Sequence, residues 1–222
     1  MEIALEILDE DTLTVAEVAT AADVTSRYVN QVIEEHVMPE ELYVTGGKRR
    51  FLPSAAAFVA LNCKASSILT REARHTAYES LLLRFHDELV SSEWKKWNIL
   101  LARETVDLDM VTIRVVTIFD EVAKRLDEMQ EAKKAVVRDP EILSGIPVIA
   151  GTRVPVYDIA ASVDKGVSHA RLAKGFGIDS EQIRLACLWA KANPPMGRPK
   201  RALAPVPINA AVKRISRKRR AD

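Results

Sequence analysis

The sequence predicts a mainly α-helical protein with small β elements, and three observations predict it. Aromatic residues make up only 5 % of the 222 residues, and alanine, leucine and valine dominate the apolar 48 %, which favours helices. One spacing of small, apolar and capping residues occurs twice. A Gly-Gly pair between two short apolar segments indicates one hairpin among the helices.

The first copy of the spacing predicts two helices that meet at a tight corner. Ala19 is small enough to let the second helix cross closely over the first, and Val24 fills the corner. Thr25 has the side chain of a helix N-cap, which accepts a hydrogen bond from an otherwise unpaired backbone N–H group. Val29 and Val32, three residues apart, return the second helix to the core.

The second copy has the same residue types at the same spacing, with Ala173 at the crossing, Ile178 at the corner and Asp179 as the N-cap. The turn before the corner requires a positive φ, which Gly177 adopts easily. The first copy has Asp23 there, which is permitted but less favourable. Both copies therefore predict a helix-turn-helix, a unit that mainly binds DNA.

A β-hairpin is expected after the first corner, around the turn 45–48 with its Gly-Gly pair. Pro53 then opens an alanine-rich helix that extends to near Asn62. Two helices, a basic hairpin and a closing helix together predict a winged helix-turn-helix domain over residues 1–65. Its first residues, 1–12, are acidic and are expected to form an incoming arm or a short helix.

Candidate DNA contacts lie on the second helix of this domain and on the hairpin. Polar and basic side chains can reach base edges or phosphates when such a helix enters the major groove, and a basic hairpin tip meets phosphates or the minor groove. The alternative is a solvated helix face and a tip that is basic because it is exposed. The candidates are Thr25, Ser26, Arg27, Tyr28 and Gln31 on the exposed side of the helix, and Lys48, Arg49 and Arg50 on the hairpin.

Residues 66–135 carry the weakest pattern and are predicted to be an α-rich linker or dimerisation region with a short strand. Ala77 and Leu81 fall at helical spacing, and residues 110–118 are β-branched and partly alternating, which favours a strand. Because no partner strand is evident, we expect this strand to pair with its copy in a dimer or with the next domain. A helix is expected over residues 119–134.

Residues 136–193 predict a C-terminal domain of two short strands followed by three helices. The helices are expected over 156–165, 168–176 and 180–192, separated by glycines. The last two contain the second helix-turn-helix. On its second helix the acidic residues would repel DNA phosphates, and only Arg184 would favour a contact with DNA. We therefore expect this copy to serve dimerisation or partner binding instead.

The loop between the strands and the first of these helices contains Gly151, Thr152, Arg153 and Pro155. The Gly-Thr-Arg run lacks the glycine spacing and the lysine of a nucleotide-binding loop. We expect a structural role for it, with Arg153 holding the loop through backbone carbonyls or through Asp158.

The stretch RDPEILSGIPVIAGTRVPV resembles the bacterial domain of unknown function 433. The hallmark D-P-x-I-x-x-G-x-P-V-I-x-G-T-R-[IV]-P-V is matched at Asp139, Pro140, Ile142, Gly145, Pro147, Val148, Ile149 and 151–156. The hairpin domain resembles the DNA-binding domains of the MerR and excisionase type, through its Gly…Arg-Arg-aromatic signal. Together these resemblances imply an antitoxin of the VapB type, whose partner is a PIN-domain ribonuclease toxin of the VapC type.

The net charge of +1 conceals a basic tail at residues 194–222, which is proline-rich and expected to be disordered when alone. Residues 196–222 hold nine of the 32 basic residues and one of the 31 acidic residues, so the rest of the chain is acidic. Three roles are open: wrapping the acidic site of a ribonuclease, binding DNA nonspecifically, or none. The resemblance favours the first, and the candidate toxin contacts are Arg198, Lys200, Arg201, Lys213, Arg214 and Arg217.

Nothing in the sequence predicts an enzyme, a cofactor or a metal site. The four histidines are scattered, and two cysteines make neither a disulfide framework nor a zinc site. No apolar run is long enough to span a bilayer and no signal peptide is evident, so we expect a cytoplasmic protein.

We therefore expect an antitoxin of a type II toxin–antitoxin system that inhibits its ribonuclease and represses its own operon. A homodimer, or a higher hetero-oligomer with the toxin, is expected on operator DNA because paired recognition helices bind paired half-sites. The alternative is a stand-alone transcriptional regulator with no toxin partner.

Overall fold

The computed structural model describes residues 12–44, 49–101, 105–108 and 111–195. Within them the chain is mainly helical, with three small antiparallel sheets of two strands each. In chain order the elements are α1 (Val15–Ala22), α2 (Ser26–Glu34), β1 (Tyr43–Val44), β2 (Arg50–Phe51), α3 (Pro53–Ala65), α4 (Arg71–Arg84), α5 (His86–Leu89), α6 (Trp97–Leu100), β3 (Thr105–Leu108), β4 (Val111–Arg114), α7 (Val116–Lys134), β5 (Val136–Val137), β6 (Val148–Ile149), α8 (Val156–Asp164), α9 (His169–Phe176) and α10 (Ser180–Ala192).

Helices α1 and α2 form the first predicted corner. The turn residue Asp23 is left-handed, with φ of 55°. Thr25 caps α2, since its hydroxyl oxygen accepts a hydrogen bond from the backbone nitrogen of Tyr28 at 3.2 Å. Val29 and Val32 are buried as expected, so the spacing sets both the turn and the face that α2 turns to the core.

Helices α9 and α10 form the second corner in the same way. Gly177 is left-handed, with φ of 67°. Asp179 caps α10 by accepting from the backbone nitrogen of Gln182 at 2.7 Å, and the Gln182 side chain accepts from the backbone nitrogen of Asp179 at 3.0 Å. This reciprocal pair is a capping box, and Ile183 lies fully buried behind it.

The pairing expected for the strand of the middle segment is wrong. Strand β4 pairs with β3 of the same chain, with Thr105 opposite Arg114 and Leu108 opposite Val111. The segment thus has two strands and not one. The partner was missed because the 105–108 run contains Asp107, a residue depleted in strands.

The middle segment shares its core with the first helices. Phe58 of α3 packs edge-to-face on Tyr78 of α4 at 5.2 Å and on Phe119 of α7 at 5.9 Å between ring centroids. Trp97 packs on Phe119 at 5.3 Å. Edge-to-face contact is a favourable arrangement of aromatic rings, and this chain of rings joins α3, α4, α6 and α7 into one core.

A second apolar core lies between α8, α9, α10 and the end of α7. Helices α7 and α10 connect it to the first core, because both also pack on α1. Two ion pairs accompany this contact: Lys133 of α7 with Glu17 at 2.8 Å, and Lys191 of α10 with Asp23 at 3.2 Å. The two corners are therefore held in a defined relative position.

Candidate nucleic-acid interface

Helix α2 has one buried and one exposed face. Val29, Val32 and Ile33 are buried, and the predicted contact residues Thr25, Ser26, Arg27 and Gln31 are exposed. Gln31 donates from Nε2 to Oε1 of Glu35 at 2.8 Å. The exposed face is therefore polar, with Arg27 as its cation near the N-terminal end and carboxylates at its C-terminal end.

Hydrogen bonds connect the hairpin to α2 and to Leu13, which precedes α1. Arg49 donates from Nη1 to Oδ1 of Asn30 in α2 at 2.9 Å. Phe51 of β2 exchanges two backbone hydrogen bonds with Leu13, at 2.8 and 2.9 Å. Arg50 is half-buried on β2, opposite Val44. Of the predicted hairpin contacts, Lys48 lies outside the described residues.

The exposed position expected for Tyr28 is wrong, because its side chain turns towards α3. Its hydroxyl oxygen accepts a hydrogen bond from Nδ2 of Asn62 at 2.9 Å. Asn62 in turn accepts from the hydroxyl of Tyr78 at 3.3 Å. Burial, with a smaller contribution from nearby Cys63, raises the pKa of Tyr28. The sequence signal was the position of Tyr28 one turn before buried Val32, since residues four apart share a face.

The matching helix of the second corner presents a neutralised surface. Arg184 donates to both carboxylate oxygens of Glu181, at 2.9 and 2.7 Å, and lies 3.4 Å from Glu128 of α7. The hydrogen bonds from Arg184 to Glu181 raise the pKa of its guanidinium. The cation on which a DNA contact by α10 would depend is already paired with two acids.

The loop before α8 is held by Thr152 and not, as expected, by Arg153. The Thr152 hydroxyl donates to the backbone oxygen of Ile149 at 2.8 Å and accepts from the backbone nitrogen of Val154 at 3.1 Å. Gly151 is left-handed, with φ of 74°, and Pro155 is the N-cap of α8. Arg153 is exposed and makes no hydrogen bond or ion pair with another described residue.

The six candidate toxin contacts lie outside the described residues. They are Arg198, Lys200, Arg201, Lys213, Arg214 and Arg217. Pro195, three residues beyond the end of α10, is the last described residue.

The β5–β6 hairpin and helices α8 to α10 coincide with a recognised sequence family. Residues 136–190 match the family described as protein of unknown function (DUF433). Over 213 residues the chain is 34 % identical to uncharacterized protein y4eO of Sinorhizobium fredii, and the match covers 94 % of each chain. The chain belongs to the same family as y4eO. The match therefore extends well beyond the DUF433 segment of this chain.

Among solved structures, the chain is similar to the crystal structure of RV2018 from Mycobacterium tuberculosis. The similarity has 16 % identity and a TM-score of 0.39, and it covers 78 % of this chain and 95 % of that one.

The described residues hold no group of three or more histidine, cysteine or acidic side chains placed to bind a metal ion. No helix within them combines the length and the apolar character needed to cross a membrane.

Proposed function

We propose that this protein is the antitoxin of a type II toxin–antitoxin pair and that it binds operator DNA through α2 and the β1–β2 hairpin. In this proposal α1, α2, the hairpin and α3 form a winged helix-turn-helix. The observation that carries it is the bond between Arg49 and Asn30, which holds the hairpin beside α2 with its polar exposed face.

The charge along α2 favours entry into DNA by its N-terminal end. Arg27 lies in the first turn, and Glu34 and Glu35 lie at the other end. The carboxylates would meet phosphates if the helix entered by its C-terminal end. In helix-turn-helix proteins the N-terminal residues of the second helix contact base edges, and the helix N-terminus itself favours anions.

A dimer completes the DNA-binding proposal. A single nine-residue helix contacts few base pairs, and helix-turn-helix proteins gain affinity by placing two such helices in half-sites about 34 Å apart. The acidic surface around Arg184 disfavours a second DNA contact from the same chain. The paired helix would therefore come from a second copy.

The toxin-binding part of the proposal relies on the resemblance and on charge. The stretch 138–156 resembles antitoxins of the VapB type, although the matching family is described only as being of unknown function. The residues beyond 195 are strongly basic. In our proposal this tail orders on a PIN-domain ribonuclease and places an arginine among its metal-binding carboxylates, where bidentate pairing is strong. The inhibition is occlusion, and this chain performs no chemistry.

DNA binding is tested by fluorescence anisotropy with the DNA upstream of the gene, at several salt concentrations. We expect Arg27→Ala to weaken specific binding by about 1–3 kcal/mol if Arg27 contacts a base, or to weaken all binding and lower the salt slope by about 1 if it contacts a phosphate. The matched control is Lys174→Ala, an exposed cation on α9. Equal effects of the two variants would contradict the assignment of α2.

Toxin binding is tested by co-expression with the neighbouring reading frame. We expect a stoichiometric complex without ribonuclease activity, and we expect the activity to return when the chain ends at Asn193. A narrower variant, with Arg198, Lys200 and Arg201 changed to glutamine, tests the tail residues nearest the fold. Specific binding to upstream DNA without any complex would instead favour the alternative, a stand-alone regulator.

A further inference from the structure

A cavity of about 380 Å³ lies in the DUF433 segment, between the β5–β6 hairpin and the loop before α8. This volume is within the range of small-molecule pockets. Three of the lining side chains are aliphatic, and Arg153 is the one cation among the described residues that line it. The lining residues are Val137, Ile142, Val148, Gly151, Thr152 and Arg153.

The fold does not use the side chain of Arg153. It is exposed and makes no hydrogen bond or ion pair with another described residue, including Asp158 in the first turn of α8. The loop is held instead by the Thr152 hydroxyl, whose two hydrogen bonds both go to backbone groups. The five N–H donors of the guanidinium are therefore available to a ligand.

The same loop offers backbone donors beside this guanidinium. Within the described part of the chain, the backbone N–H groups of Gly151 and Arg153 donate to no other group, and both residues line the cavity. Gly151 is left-handed, and a Cβ atom there would meet nothing within 4 Å, so the approach to this turn is open. Unpaired N–H groups in such a turn, next to a cation, favour an anion.

We propose that this cavity binds a small organic carboxylate with an aliphatic or aromatic body. The inference is independent of the proposed function. The carboxylate pairs with the guanidinium of Arg153, whose parallel N–H donors fit the two oxygens of a planar carboxylate. The body of the ligand packs on Val137, Ile142 and Val148 and removes their side chains from water.

The lining disfavours a phosphate, the other anion that arginine commonly binds. A phosphate monoester carries a charge of about −1.5 to −2 near neutral pH, whereas the described lining supplies one cation. The nearby Arg138 is occupied elsewhere, since its guanidinium lies 5.2 Å from the ring centre of Trp189. The aliphatic wall would also leave phosphate oxygens without hydrogen-bond partners. A singly charged and partly apolar ligand matches both the charge and the surface of the cavity.

The test titrates the isotope-labelled full-length chain with 4-methylpentanoate and, separately, with 3-phenylpropanoate, while NMR follows the amide signals. We expect saturable shifts of the signals of Gly151, Thr152 and Arg153 with at least one of the two acids. The primary amide of that acid should bind at least about tenfold more weakly, because the charged hydrogen bonds are lost. Acetate should also bind at least about tenfold more weakly, because it lacks the apolar body.

Substitutions of Arg153 test the other side of the contact. Arg153→Gln should weaken binding of the acid at least about tenfold. Arg153→Lys should restore part of the affinity, because lysine keeps the charge and loses the paired geometry. The matched control Lys165→Gln, which removes an exposed cation just after α8, should leave the affinity unchanged. Amide signals outside residues 136–156 show that each variant is folded.

Several results would overturn the proposal. The first is the absence of a saturable shift with either acid. Equal affinity for the acid and its amide would remove the charged contact, and equal affinity for acetate would leave a site for any anion. Tighter binding of inorganic phosphate than of either acid would assign the loop to phosphate. Equal effects of Arg153→Gln and Lys165→Gln would show that Arg153 does not hold the carboxylate.

Discussion

Arg49 and Asn30 are joined by a hydrogen bond of 2.9 Å between Nη1 and Oδ1, and this bond connects the hairpin to the middle of α2. Arg49 directly precedes β2, so the bond fixes the position of this strand relative to α2. A binding surface whose two parts are already held together loses less conformational freedom on binding. On the proposed DNA-binding surface, this bond gives Arg49 a positioning role in addition to its charge.

We expect Asn30→Ala to weaken DNA binding several-fold while changing the free energy of unfolding by only about 0.5–1.5 kcal/mol, the usual net value of one hydrogen bond. The reason is that the hairpin then samples several positions relative to α2. Anisotropy titrations and urea unfolding of the same preparations measure the two quantities. The control Glu34→Ala removes an exposed side chain from the same helix. The positioning role would be contradicted if Asn30→Ala weakened DNA binding no more than the control Glu34→Ala does.

Local structure was largely predictable from the sequence, because caps and corners depend on neighbouring residues. The N-caps Thr25 and Asp179 and the left-handed turn residues Asp23 and Gly177 are all present as predicted. Each is decided within one helical turn.

Features that depend on distant residues were not predictable in this way. The orientation of Tyr28 is set by Asn62 and Tyr78, which are far from it in sequence. The β3–β4 pairing was missed because the partner strand β3 contains Asp107, and acidic residues are depleted in strands. Arg153 has the chemistry to hold the loop before α8, yet the neighbouring Thr152 does so because its short side chain reaches two backbone groups.

The ion pair between Lys133 and Glu17 should contribute measurably to stability, because Glu17 is buried and Lys133 is half-exposed. We expect Lys133→Ala to cost about 1–2 kcal/mol, less than for a fully buried pair because water screens the lysine. Urea unfolding measures the change. The control is Lys134→Ala, an exposed cation without an ion pair to another described residue, for which we expect at most about 0.5 kcal/mol. Equal losses in the free energy of unfolding for the two variants would show that the ion pair adds nothing to stability.

The left-handed turn at Asp23 offers a stabilising substitution. Glycine adopts this backbone without the clash of a Cβ atom, and we expect Asp23→Gly to change the free energy of unfolding by about +0.5 kcal/mol. The gain is limited by loss of the pair with Lys191, in which both side chains are more than half exposed. Asp23→Asn separates the two effects, since asparagine tolerates the same backbone but is uncharged. A thermal melt in which Asp23→Gly unfolds below Asp23→Asn would contradict this argument.

Tyr78 should make the protein less stable in alkali. Its side chain is buried and its hydroxyl donates to Asn62 at 3.3 Å. Burial raises the pKa of Tyr78 far above its ordinary value of about 10. The folded state therefore keeps the phenol proton at pH values where the unfolded chain releases it. The resulting contribution to stability is complete below pH 10 and is lost as the pH rises above it.

Tyr78→Phe removes this titration. We expect the variant to be less stable at pH 8 by about 0.5–1.5 kcal/mol, since one hydrogen bond is lost. Above pH 10 the difference should shrink by up to about 1.4 kcal/mol per pH unit, because the unfolded wild-type chain ionises the Tyr78 phenol while its folded state keeps the proton, and the variant has no phenol there. Urea unfolding of both proteins between pH 8 and 11 measures the difference, in which the titration of shared lysines cancels. A difference that stays constant over this range would mean that Tyr78 titrates equally in the folded and unfolded chains.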